Sequence, residues 1–263
     1  MSRLEAVLAD LEVISERLDA LVVDLPESEW RRATPAAGWD IAHQVAHLAW
    51  TDECAVVAAT DGRAWDRLVR EAMADPEGFV DRGAAHGAQH DGSSILSRWR
   101  ESRQQLAQRL RAFPAGEKVP WYGPPMRPAS MATARFMETW AHSRDVADAL
   151  GVTLPVDDRV VHVCHIGVRA RGFSFANNGQ DPPAADIRVE LTLPGGGTFA
   201  DGPTDAEQSV RGSAYHFALL VTQRAHRDDL DLVATGADAE TWLDLAQAFA
   251  GPSGIGRQPR MHP

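Results

Sequence analysis

Glu138 and His142 are four residues apart, and at helical pitch that spacing points a carboxylate and an imidazole from one face toward a common point. Such a pair suits two ligands of one divalent metal ion. Upstream, His43 and His47 repeat the four-residue spacing, and with Trp50 and Cys54 they fall within about 60° of one another on a helical projection. Two histidines and one carboxylate from two helices of a bundle make an open zinc site whose vacant position admits water or a substrate. Spacing alone does not choose between His43 and His47. A histidine on a largely apolar helix must find a partner, and either ligation or a hydrogen-bonded place in the core provides one.

Other chemistries lack their residues. The chain contains no H-E-x-x-H, no G-x-S-x-G, no Walker A loop and no strand-linked G-x-G-x-x-G, which removes the main support for zincin, hydrolase-elbow, P-loop and Rossmann readings. Gly195-Gly196-Gly197 sits between two strand patterns with no helix following, so it reads as a turn. His86, His90, His162, His165, His216, His226 and His262 form no ligand-spaced set with a carboxylate. Cys54 and Cys164 are the two cysteines, too few for a disulfide framework and without a C-x-x-C pair, and are expected to be small buried side chains.

Composition bounds what such a site serves. With 37 acidic against 26 basic side chains the formal charge is −11, a field that repels nucleic acid and anionic membrane surfaces. No apolar run approaches the roughly 20 residues that span a bilayer. The N-terminus, Met1-Ser2-Arg3-Leu4-Glu5, lacks the pattern of a secretory signal, so a cytoplasmic protein is expected.

The elements that must position these residues follow from periodicity. Leu4 to Val22 carries apolar residues at helical spacing, and Pro26 closes that helix. Asp40 is the expected N-cap of a second helix running to about Ala59, buried on both faces because Ile41, Val45 and Leu48 lie opposite the histidines. A helix near 64–74 is expected before a long loop from Asp75 to Gly92, then a helix opened by Ser93 or Ser94 and running to about Phe113. Pro114 to Pro128 holds too many prolines to be helical throughout, and Ser130 to Leu150 is the next long helix, with Met131, Arg135, Glu138, His142 and Asp145 on one stripe. Past Gly151 the pattern changes. A helix from Asp158 to Phe175 precedes a strictly alternating strand, Asp186 to Leu193, turned back by Pro194 to Gly197 onto Thr198 to Ala200. A further strand at 208–211 and helices at 213–225 and 238–250 complete an α+β half. The expected domains are therefore residues 1–151, a helical bundle, and 152–263, a smaller α+β domain.

With these elements in place the chain resembles a known family. Trp39-Asp40-Ile41-Ala42-His43-Gln44-Val45-Ala46-His47-Leu48 is similar to the signature of the DinB-like metal-binding four-helix bundle, and Arg135 to Val146 resembles its R-x-x-E-x-x-x-H-x-x-D segment. Val210 to Ala214, leading into Leu219 to Arg224, resembles the sterol-carrier-like C-terminal domain of mycothiol-dependent maleylpyruvate isomerases. The resemblance implies zinc, or another divalent metal, held by His47, Glu138 and His142, with the fourth position open to water or to the thiol of mycothiol. It also implies that Arg224 acts on the substrate. Asp145, three residues after His142, either supports that ring or caps the helix surface. Gln223 stands where the family carries glycine, and with Trp121 to Met126 and Gln247 to Pro252 this resembles a separate actinobacterial branch of metal-binding proteins.

The function implied is cis–trans isomerisation of, or thiol transfer to, a small carboxylate-bearing electrophile. A zinc hydrolase on the same ligands is the first alternative. The second is a non-enzymatic small-molecule or lipid-binding protein with a structural metal. Oligomeric state is not legible in the sequence.

Overall fold

The computed structural model describes residues 1–254 and 256–260. The chain divides into two compact units, Met1–Leu154 and Pro155–Pro263. The first is helical and the second is built on a small sheet. Among the described residues no helix is long and apolar enough to cross a membrane.

In the first unit α1 (Arg3–Val22) starts at Ser2, whose hydroxyl accepts from the Glu5 amide, and buries Val7, Leu8, Ile14, Leu18 and Val22. A single turn, α2 (Glu27–Trp30), follows Pro26. Asp40 caps α3 (Ile41–Thr60), its carboxylate accepting from the His43 amide at 2.9 Å. Then come α4 (Gly62–Ala74), α5 (Phe79–Ala88), α6 (Gly92–Ala112) and α7 (Pro128–Leu150). α1 packs chiefly on α7, and α3 on α6, α5 and α7. α3 is therefore the central helix, and both its faces are buried as its pattern predicts.

The expected loop from Asp75 to Gly92 is instead largely the helix α5. Glycines at 83 and 87 suggest a loop in sequence, but here they let two helices meet. A Cβ at Gly83 would lie 2.6 Å from the Trp50 ring, and one at Gly87 would lie 2.9 Å from the Ala46 Cβ. Close packing on α3 offsets the roughly 1 kcal/mol that each glycine costs a helix.

Two apolar clusters fill this unit. One joins Leu18, Val22, Trp30, Ile41, Val45, Leu48, Trp99 and Val146. The other joins Val7, Leu8, Ala55, Leu106, Leu110 and Met131. Along α7 the polar residues Arg135, Glu138 and His142 fall between Met131 of one cluster and Val146 of the other. Polar groups so placed must satisfy one another or bind something.

The second unit orders its four described strands β2-β1-β3-β4: β1 (Ile187–Thr192), β2 (Thr198–Asp201), β3 (Gln208–Ser213) and β4 (Val233–Thr235). β1 pairs parallel with β3, and the other pairs are antiparallel. Ile187, Val189 and Leu191 point into the core, while Arg188 and Glu190 pair on the opposite face. The three-residue β4 is too short to show alternation, which is why periodicity missed it. The helix expected over 158–175 turns at Ala170, giving α8 (Val161–Arg169) after a 3₁₀ turn and α9 (Arg171–Asn177). α8 then meets α10 (Ala214–Val221), and α9 meets α11 (Ala237–Leu245).

α7 and α10 end in the same way. After α7 the Val152 amide bonds the Ala147 carbonyl and the Gly151 amide that of Asp148, with Gly151 left-handed at φ 68°. After α10 the Arg224 amide bonds the Leu219 carbonyl and the Gln223 amide that of Leu220, with Gln223 left-handed at φ 58°. The turn that presents Arg224 thus demands the conformation glycine favours and holds glutamine in it. A left-handed backbone costs a side-chain-bearing residue about 1 kcal/mol. Gln223→Gly is expected to stabilise the protein by up to that amount in denaturant titration. A net loss would show that the glutamine side chain contributes more than its backbone costs.

Candidate metal centre

α3 and α7 bring His47, Glu138 and His142 together. Glu138 Oε2 lies 3.4 Å from His47 Nε2 and 3.2 Å from His142 Nε2, and the imidazole centroids are 4.6 Å apart. Among the described residues this is the one cluster of ligand-type side chains whose donor atoms meet within 4.8 Å. Both histidines are buried and Glu138 nearly so. Burial alone would raise the Glu138 carboxyl, but the facing His142 and His47 rings, which donate to it and carry charge when protonated, outweigh burial and hold the group well below the ordinary carboxylate range. The carboxylate is ionised, as a metal ligand must be.

The partners of His142 define its chemistry. Its Nδ1 lies 2.5 Å from Gln44 Oε1, the Gln44 amide donates to the Thr34 hydroxyl at 2.8 Å, and that hydroxyl donates to the Trp39 carbonyl at 2.8 Å. With Nδ1 the donor, Nε2 of the neutral ring bears a lone pair that faces a carboxylate oxygen. Acceptor against acceptor calls for a proton or a cation between them, and a divalent ion meets this need for both rings at once. The donor set therefore fits a divalent metal. His47 differs from His142, because its Nδ1 is buried with no hydrogen-bond partner.

Aromatic rings enclose the cluster. The Trp39 indole stacks on His142 (centroids 5.9 Å, 16° between planes), approaches His47 at 5.2 Å, and is tied to α5 by its Nε1 donating to Asp81 at 3.0 Å. Trp50 packs on His47 at 6.2 Å and edge-on to Phe79 at 5.1 Å. One turn before Glu138, Arg135 Nε donates to Asp52 at 2.8 Å, with both side chains buried.

His43, the competing ligand candidate, stays half-buried with its Nδ1 2.6 Å from Asp40, the residue that caps its helix. It joins no cluster with Glu138 and His142. Asp145 is buried one turn further on, and Gln44 Oε1 is the acceptor at His142 Nδ1. Sequence reasoning missed Gln44 and Thr34. A buried amide on α3 signals a need for partners, but neither Thr34 nor His142 is its neighbour in sequence. Of the remaining histidines, His216 pairs with Asp231, His226 accepts from the Asp228 amide, and His262 lies outside the described residues. Arg224 sits in the second unit, with Nη1 donating to the Thr222 carbonyl at 2.6 Å. Cys54 and Cys164 are buried and free, and burial pushes their thiols up to about 11 and about 12.

Two uncharacterised proteins from two strains of Mycobacterium tuberculosis are each 51% identical to this chain over 249 residues, 95% of it and 97% of theirs. The crystal structures of the mycothiol-dependent maleylpyruvate isomerase and of a histidine-to-alanine mutant of it align with 88% of this chain and 92% of theirs. The TM-scores are 0.59 and 0.58 at 14% and 15% identity, a likeness of fold. The model of the mycothiol maleylpyruvate isomerase N-terminal domain matches residues 11–147, the stretch that contains α3, most of α7 and all three ligand candidates, and the chain belongs to that family.

Proposed function

We propose that the protein is a mycothiol-dependent metalloenzyme that isomerises a small, carboxylate-bearing electrophile about a cis double bond. The observation that carries this reading is the convergence of His47, Glu138 and His142 within 4.8 Å. Family membership and the mycothiol dependence of the isomerase that shares the fold support it. Three protein ligands leave a tetrahedral ion one open position. A divalent ion such as zinc, when bound, supplies a Lewis acid that favours the thiolate form of a thiol at neutral pH.

The chain's own thiols do not serve as the nucleophile, because burial keeps both protonated. In this reading the sulfur comes from mycothiol, on which the isomerase of the same fold depends. Its addition to an electron-poor double bond forms a C–S bond and sends the π electrons to the conjugated carbonyl. Rotation about the resulting single bond and expulsion of the sulfur return the double bond in the other geometry, with nothing oxidised and the thiol regenerated. His47, Glu138 and His142 hold the ion, while Trp39 and Trp50 exclude water from the imidazole faces they cover. Arg224 offers a planar, permanently charged fork that pairs with the substrate carboxylate and offsets charge on the carbonyl.

The test is turnover of maleylpyruvate and related cis-unsaturated keto acids with and without mycothiol. Conversion is expected only with the thiol. Arg224→Lys should cut it at least tenfold, about 1.4 kcal/mol of transition-state stabilisation, while fold and metal content are kept. Ester or amide cleavage without thiol would make the protein a hydrolase, and accumulation of an S-conjugate would make it a transferase. Full activity of Arg224→Lys would reduce the arginine to closing its own helix end through Thr222.

A further inference from the structure

The direction of every hydrogen bond in the relay behind His142 is fixed by its far end. The Trp39 carbonyl only accepts, so the Thr34 hydroxyl spends its proton there. The hydroxyl oxygen is then the acceptor for the Gln44 amide nitrogen, which turns the Gln44 carbonyl oxygen toward His142. An amide oxygen cannot donate, so the imidazole nitrogen that faces it carries the hydrogen. Gln44 is fully buried and has no water with which to exchange these bonds. The same loop that supplies Thr34 and Trp39 also lays the Trp39 indole on the face of His142. One imidazole is thus held at its edge and on its face by a single short segment.

We propose that Gln44 is a positioning residue for the metal centre: through Thr34 and the Trp39 carbonyl it holds His142 in the Nδ1–H tautomer with Nε2 aimed at the ion. This rests on the reading that the centre binds a divalent metal. A ring free to change tautomer or rotate would lose part of its affinity to ordering at each binding event. Removing a partner that orients a ligand typically weakens metal binding by about 10- to 100-fold. His47, whose Nδ1 has no such partner, is the internal contrast.

Zinc titration and nitrogen NMR of the histidine rings test the assignment together. In the wild-type protein, with or without zinc, His142 should show a slowly exchanging Nδ1 proton. Gln44→Met keeps the length and removes the acceptor, and should lose that signal and raise the zinc Kd by about 10- to 100-fold. Gln44→Glu restores an acceptor, and should keep the signal and bind zinc at least as tightly as wild type. A simple space-filling role would make the two variants alike, and that result overturns the proposal. Wild-type His142 protonated on Nε2 alone would overturn it without any variant, so misfolding of Gln44→Met does not shield it. Wild-type zinc uptake equalled by folded Gln44→Met counts against Gln44 only, whereas no uptake by wild type overturns the metal reading as well.

Discussion

His142→Ala and His47→Ala should each reduce bound zinc from about one ion per chain to a trace, because two remaining ligands bind weakly. Each loss should exceed the about 10- to 100-fold expected of a residue that only orients a ligand. His43→Ala should leave occupancy intact, since the His43 ring is engaged with Asp40 and takes no part in the Glu138 cluster. The variants therefore rank with the histidine ligands first, Gln44 second and His43 last, as elemental analysis after dialysis would show. Thermal stability gives an independent readout. Excess zinc should raise the midpoint of wild type and His43→Ala by mass action, and leave His47→Ala and His142→Ala unmoved. An empty site in His43→Ala with a full one in His47→Ala would reverse the ligand assignment.

Long helices were legible because their chemistry is local. Asp40 before an apolar run, Pro26 after one, and the stripe of α7 each announce themselves within a few turns. The strict alternation of β1 did the same for the sheet. α5 was lost because Gly83 and Gly87 signal a loop unless Trp50 and Ala46 are known to lie against them. β4 was lost because a three-residue edge strand draws its identity from Ser209 to Arg211 of β3 rather than from its own sequence. The same division holds at the site. Glu138 and His142 share a helix, so spacing paired them, but choosing His47 over His43 requires knowing how α3 is rotated against α7. Gln44 lay beyond reach for the same reason, since its partner is 98 residues away. Gln223 is the converse case, where the resemblance marked a missing glycine and the backbone shows why glycine belongs there.

The largest effect on folding is expected from Arg135→Met. Arg135 and Asp52 are buried, with side-chain exposures of 3% and 7%, and are joined by a 2.8 Å bond between the helices that carry the metal ligands. Burial raises the Asp52 carboxyl, and the Arg135 charge and hydrogen bond pull against that rise. Removing the guanidinium leaves a carboxyl in an apolar setting, which must either stay charged without a partner or take up a proton. Breaking a buried pair in this way costs about 3–5 kcal/mol. For a protein of this size that lowers the melting temperature by roughly 6–20 °C. Arg135→Met combined with Asp52→Leu should recover most of the loss, because well-packed apolar side chains commonly replace a buried ion pair without net cost. The double variant should also still bind zinc, since neither residue is a ligand. Recovery of stability without recovery of zinc binding would show that the pair sets the distance between α3 and α7 at the metal. A single variant within 1 kcal/mol of wild type, an effect typical of exposed pairs, would show that water reaches the pair and that this part of the bundle is open.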